Sequence, residues 1–377
     1  MTDSEHDPGP EPGQAPPPSR ARTGALEAAP FAGLTPDLIL NAVDSTGLRT
    51  SGQVLALNSY ENRVFQVGLE AGGLAGVGQD ADRLQTAGRG DPAAPAPVVV
   101  KFYRPSRWSD AAILEEHRFL AELVEREVPA VAPLAFGGHT LHPFEGFRFT
   151  VFPRRGGRAP ELSDPSVRER IGRFLGRLHA VGGTAPFRHR PCLDVETFGV
   201  EPSSFLLEHG WLPPDLESVY RGVVLEAIEG VRHCFERAGD FRTLRLHGDC
   251  HEGNLLWTEV GRHPGPHFVD FDDSRTGPAM QDLWMLLSGS REEMQLQLND
   301  LLRGYEDFVE FNPRELELTE ALRTLRLIHY SAWIARRWQD PAFPVAFPWF
   351  DSPRYWEARI LELREQTAAM QEQALVA

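Results

Sequence analysis

Lysine is almost missing from this chain: of 38 lysines and arginines, Lys101 alone is a lysine. Cysteine is sparse too. Cys192, Cys234 and Cys250 share no metal-type or redox-type spacing, which argues against a disulfide framework and fits a reducing compartment. No apolar run reaches the length of a membrane span, and the N-terminus lacks a basic-then-apolar signal pattern. A soluble, cytoplasmic protein that needs no membrane is therefore expected. Positive charge is outnumbered as well. A net charge of −16 disfavours broad attraction to nucleic acid or anionic lipid.

What is present begins with that one ammonium. Lys101 follows Val98-Val99-Val100, a β-branched run that reads as a buried strand. An ammonium is a compact point charge that reaches phosphate oxygens where a planar guanidinium is too large. Lys101 is thus either a phosphate contact leaving a sheet or the survivor of a composition bias.

A length of 377 residues calls for two lobes. Residues 1–33, rich in Pro, Gly and Ala, read as a disordered tail, and a similar stretch over 71–97 reads as a flexible insertion. Between them, Thr35-Pro36 opens a helix, and strands are expected at 53–57 and 63–67, joined by Asn58-Ser59-Tyr60-Glu61-Asn62. Ser109 caps a helix with Ile113, Leu120, Leu123 and Val124 on one face, and further strands are expected at 131–136 and 147–152. Beyond Gly156-Gly157 the periodicity turns helical, at 167–181, 216–238, 278–287, 291–308, 315–337 and 355–374. The fold expected is α+β and bilobal: a small strand-rich lobe over 34–152 and a larger, mainly helical lobe over 153–377.

The chemistry concentrates in Leu246-His247-Gly248-Asp249-Cys250-His251-Glu252-Gly253-Asn254 and in Asp270-Phe271-Asp272-Asp273. Leu255-Leu256-Trp257 and Phe268-Val269 read as strands of a hairpin turning at Gly261–Gly265, which sets Asn254 beside Asp270. A neutral amide oxygen and a carboxylate are hard ligands suited to a divalent ion such as magnesium. Asp249 is left to take a proton from an attacking hydroxyl. His247 is expected to orient the loop and Asp282 to brace it. Each of these residues also has a purely structural reading, but a turn-capping role explains Asp249, Asn254 and Asp270 together poorly.

The pattern His-Gly-Asp-x-His-x-Gly-Asn followed by a hydrophobic-Asp motif resembles the kinase-like phosphotransferases, a group that includes aminoglycoside and choline kinases. The resemblance spans about Ser51 to Trp349. Leu57–Val64, Val99–Pro105, Arg245–Asn254, Gly277–Met285 and the aromatic tract Trp338–Trp349 are similar to a bacterial serine/threonine protein-kinase branch of that group, associated with stress responses. It implies ATP as phosphoryl donor, Mg2+ as cofactor, and a protein Ser/Thr hydroxyl as acceptor, in a monomer. It also implies roles. Asp249 would be the catalytic base, Asn254 and Asp270 would hold magnesium, and Lys101 would bind the α- and β-phosphates. Glu116 would orient Lys101 in preference to Glu115, because it shares a face with Ile113, Leu120 and Leu123. Ser59 would touch phosphates from above, and Val151-Phe152-Pro153 would offer backbone groups to adenine.

Two departures qualify the match. The turn over the phosphates lacks G-x-G-x-x-G, and Asp270-Phe271 continues with Asp272 in place of glycine, with no Ala-Pro-Glu segment behind it. Switching by an activation loop is therefore not expected. Three other readings stay open on sequence grounds: a small-molecule phosphotransferase of the same fold, a dinuclear metal phosphoesterase built on His247, Asp249, His251 and Asp270–Asp273, and a nucleotide-binding scaffold without turnover.

Overall fold

The computed structural model describes residues 29–71, 96–259 and 264–377. Most of the expected tail, nearly all of the 71–97 insertion and the tip of the 255–268 hairpin lie outside the described residues.

Helix α1 (Pro36–Asp44) starts where Thr35 predicts. The threonine hydroxyl accepts the Leu38 N–H at 3.2 Å, and Pro36, lacking an N–H, fills the first turn at no loss. The helix lays Ile39, Ala42 and Val43 against a five-stranded antiparallel sheet. Its strands are β1 (Thr50–Ala56), β2 (Arg63–Leu69), β3 (Val98–Phe102), β4 (His142–Phe144) and β5 (Phe147–Pro153), in spatial order β1-β2-β3-β5-β4. Along β3 the side chains alternate. Val98, Val100 and Phe102 enter the core shared with α1, so Lys101 must face the other way, between Val64 of β2 and Thr150 of β5.

One strand expected from sequence does not form. Residues 131–136 carry Pro133 and follow Pro129, so the ladder lacks donors there. The segment instead stitches the lobes together: the Val131 N–H reaches the Phe268 carbonyl at 3.1 Å and the Leu134 N–H the Val151 carbonyl at 2.8 Å.

Helix α2 (Asp110–Glu125), capped by Ser109, buries Phe119, Leu120 and Leu123 in the core of the second lobe. That lobe contains α3 (Pro165–Gly182), α4 (Glu201–Glu208), α5 (Pro214–Ala238), α6 (Met280–Trp284), α7 (Arg291–Tyr305), α8 (Thr319–Arg336), α9 (Ala342–Ala346) and α10 (Pro353–Ala369). Two short antiparallel pairs sit among them, β6 (Thr243–Leu246) with β9 (Arg275–Pro278) and β7 (Leu255–Thr258) with β8 (Gly265–Phe268). The helix expected over 278–287 is shorter, because Pro278 closes β9, and the first turn of the 315–337 stretch is a 3-10 turn over 313–318.

Helices α3 and α7 touch backbone to backbone. A Cβ on Gly172 would stand 1.9 Å from the Leu301 carbonyl oxygen, and one on Gly304 1.9 Å from that of Glu169, so neither position tolerates a side chain. This crossing carries His179 of α3 to the back of the site. The aromatic tract is core: Phe343 and Phe350 are fully buried and Phe347 nearly so, whereas Trp349 is 44% exposed.

Candidate active site

The loop after β6 is held from behind by one carboxylate. Asp282, fully buried on α6, accepts the backbone N–H of His247 at 2.9 Å and of Gly248 at 2.8 Å. Its Oδ2 also lies 3.0 Å from His179 Nε2, and His179 Nδ1 is 2.9 Å from the Tyr305 hydroxyl. Gln281 donates to the Gly248 carbonyl at 3.0 Å. His247 turns its Nε2 to the Val269 carbonyl at 2.9 Å, joining this loop to the acidic segment. Gly248 is the point of closest approach. Its φ of 85° favours glycine, and a Cβ there would meet the Asp273 carbonyl oxygen at 2.2 Å.

On this braced loop sit Asp249 and Asn254. The Asn254 side-chain amide donates to the Asp249 carbonyl at 2.8 Å, so its Oδ1 is the atom left to face a cation. Asp249 Oδ1 is 2.6 Å from Arg326 Nη1, and its Oδ2 is 3.5 Å from His251 Nε2. Burial alone would raise the pKa of this carboxyl, but the His251 hydrogen bond and the Arg326 guanidinium outweigh it, so the Asp249 pKa stays well below the usual carboxylate range.

The β7–β8 hairpin pairs Leu255 with Phe268, and the Val269 N–H bonds the Asn254 carbonyl at 3.1 Å; Asn254 and Asp270 are thereby neighbours, as the spacing implies. Asp270 adopts the left-handed region at φ 59°, a strained choice for aspartate. Its side chain is 57% exposed to the cleft, and its Oδ1 binds Lys101 Nζ at 2.9 Å. Asp272 Oδ1 is 3.2 Å from the same ammonium. Arg107, also from the first lobe, pairs with Asp272 and, at 2.8 Å, with Asp273. Arg275 binds Asp273 at 3.0 Å, and Arg190 grips the Asp272 and Ser274 carbonyls. Burial acts to lower the Lys101 pKa, but Asp270, Asp272 and Glu116 together drive it well above the ordinary lysine value, so the ammonium remains charged.

The expected ion pair between Glu116 and Lys101 is replaced by another. Glu116 is buried and places its carboxylate 3.2 Å from Arg190 Nη1, while acting on Lys101 through space. Glu115 does different work: it accepts the N–H groups of Arg188, His189 and Arg190 at 2.7, 2.8 and 3.1 Å, fixing the loop that delivers Arg190. Ser59 braces its own turn, its Oγ accepting the Val64 N–H at 3.1 Å and donating to Leu57 at 3.3 Å. Phe152 lies in β5 opposite Val99, where the sheet ends at the interlobe crossing.

Several functional neighbours have no local signal in the sequence. Glu61, in the Ser59 turn, takes the Trp333 indole N–H at 2.6 Å and pairs with Arg104 at 3.3 Å and with Arg337. Asp340 receives Arg63 at 3.1 Å and Arg104 at 2.9 Å. Arg326, Tyr330 and Trp333 follow at helical spacing along α8, with Arg337 capping its end, so one face runs from Asp249 to the Ser59 turn. That spacing is the one clue a sequence reader had.

No group of three or more His, Cys, Asp or Glu side chains that could hold a metal is found among the described residues. The donor set does fit magnesium, which takes one or two protein oxygens and completes its shell with phosphates and water. Asn254 and the cleft-facing Asp270 would be the pair to hold it.

A small antiparallel sheet whose lysine crosses the cleft to an acidic turn, beside a His-Gly-Asp loop, defines a kinase-like phosphotransferase. The chain belongs to the phosphotransferase enzyme family (APH), whose model matches residues 56–319. Within it, the chain is similar to stress response kinase A of Escherichia coli O157:H7, 42% identical over 345 residues, covering 92% of this chain and 96% of that protein. The serine/threonine protein kinase RdoA of Salmonella typhimurium strain LT2 is 41% identical over the same shares. Among solved structures, amicoumacin kinase hAmiN, in complex with AMP-PNP, Ca2+ and Ami, has a TM-score of 0.64 at 16% identity, covering 89% of this chain and 93% of that one. That last likeness is one of fold. The protein is a kinase, and among the described residues no helix is long and apolar enough to cross a membrane.

Proposed function

We propose that this protein is an ATP- and Mg2+-dependent serine/threonine protein kinase that works in the cytoplasm, as a monomer, in a stress response. The observation that carries the site assignment is the Lys101–Asp270 contact at 2.9 Å, which joins a first-lobe ammonium to the acidic turn beside Asn254 and Asp249. Lys101 holds the α- and β-phosphates, and Phe152 lies where the hinge backbone meets adenine. Ser59 keeps its turn in shape above the phosphates. Asn254 and Asp270 hold magnesium, which neutralises phosphate charge when bound. Glu116 acts on Lys101 through space and fixes Arg190, which shapes the 272–274 backbone.

In the transfer, the acceptor hydroxyl oxygen bonds to the γ-phosphorus as the bond to the ADP oxygen breaks. Asp249 receives the hydroxyl proton. A carboxylate held ionised is ready to do so at neutral pH, and positioning supplies most of the rate. The protein acceptor is supported by the two relatives named as a stress response kinase and a serine/threonine protein kinase. The test offers labelled ATP and magnesium with denatured cell protein in one arm and amino alcohols and aminoglycosides in the other. Labelled phosphoserine or phosphothreonine in the protein arm is expected; label confined to the small alcohols would overturn the protein acceptor.

A further inference from the structure

Both oxygens of Asp249 are engaged, and the two engagements differ in kind. Oδ2 faces groups of its own loop, the Asn254 amide at 3.4 Å and His251 Nε2 at 3.5 Å. Oδ1 faces Arg326, which comes from α8 on the far wall of the cleft and approaches to 2.6 Å. An acceptor hydroxyl must reach one of these oxygens. The Asn254 amide cannot retreat without breaking its bond to the Asp249 carbonyl. Arg326 can: its side chain is long, 37% exposed, and Asp249 is its one ion-pair partner among the described residues.

We infer that Arg326 marks the acceptor position and selects acceptors that carry an anionic group beside the reacting hydroxyl. When the hydroxyl takes Oδ1, the guanidinium loses its counter-charge. An acceptor with a neighbouring carboxylate or phosphate restores it by a charge-assisted, bidentate-capable contact. An acceptor with a neighbouring ammonium instead sets two cations side by side, a direct penalty against that class. The inference rests on the phosphotransfer role of Asp249 proposed above and adds the substrate class. Acidic peptides and small hydroxy acids share this chemistry. The rival destination for Arg326 is the transferring phosphoryl group itself, which would aid every acceptor alike.

The experiment uses the full chain with ATP and magnesium, and four acceptors: serine peptides flanked by Asp/Glu, the same peptides flanked by Lys/Arg, a hydroxy acid and an amino alcohol. The readout is the ratio of kcat/KM between anionic and cationic acceptors, which overall damage to the fold does not move. Wild type is expected to favour the anionic member about tenfold or more. Arg326→Ala should bring the ratio near one, chiefly through KM, Arg326→Lys should retain part of it, and Arg326→Glu should reverse it. A wild-type ratio at or below one overturns the inference. So does an equal loss on all acceptors in Arg326→Ala, which would assign the guanidinium to the phosphoryl group. If the preference and its dependence on Arg326 hold for the small hydroxy acid while no peptide is phosphorylated, the inference stands and the protein-acceptor reading fails.

Discussion

Two acidic loops face each other across this site, and they are held by opposite means. The loop carrying Asp249 and Asn254 is fixed from behind, within one lobe, by hydrogen bonds from backbone amides to Asp282. The segment Asp270–Asp273 is fixed by cations, two of them (Lys101 and Arg107) coming from the other lobe. The first arrangement lies wholly within one lobe. The second is shared: Arg190 and Arg275 hold the 272–274 stretch from the same lobe, while Lys101 and Arg107 reach Asp270, Asp272 and Asp273 from the other.

The sharpest way to break the comparison is Asp282→Ala. It strips two buried amides and His179 of their partner, and should cost about 3–5 kcal/mol of stability with a fall in kcat of about 10²-fold. Denaturant unfolding and steady-state kinetics read both. Arg107→Ala should act differently, raising KM for ATP about tenfold while costing only about 1–3 kcal/mol, because Lys101 still holds Asp272. If the two variants lose stability and kcat alike, the loops are not held by different means.

How much of this was legible in the chain follows from the same contrast. The Asp249 loop and its Asp282 brace are written in short, closely spaced motifs, and the helices in their periodicity. The hairpin that joins Asn254 to Asp270 could be read because its two strands lie close together in sequence. Of the cationic half, Lys101 stood out, but most of the rest was not legible. Arg107, Arg190 and Arg326 are three arginines among many, and only tertiary contact gives them roles. Helix face put Glu116 on the buried side of its helix, but the ion pair expected with Lys101 goes to Arg190 instead, a partner no local spacing announces. The 131–136 stretch misled because apolar content spoke for a strand while Pro133, and Pro129 just before it, removed ladder donors.

A smaller effect sharpens the comparison from the side of pH. Glu315 lies behind Asp282 and accepts the Met280 N–H at 3.0 Å; burial pushes its carboxyl up from 4.5 to about 7. The folded protein keeps a proton there that the unfolded chain releases. This contribution to stability is therefore complete below pH 4.5, falls as pH rises, and levels off above about 7. Glu315→Gln should flatten that slope, worth about 3 kcal/mol across the window, in melting temperature measured against pH.

The central claim is tested most directly by Asp249→Asn, assayed for transfer of labelled γ-phosphate to protein while ATP binding is followed by calorimetry in the same preparation. The account predicts a fall in transfer of about 10³-fold with nucleotide affinity within about threefold of wild type. Transfer near the wild-type rate would show that the proton leaves by another route, and Asp249 would not be the base.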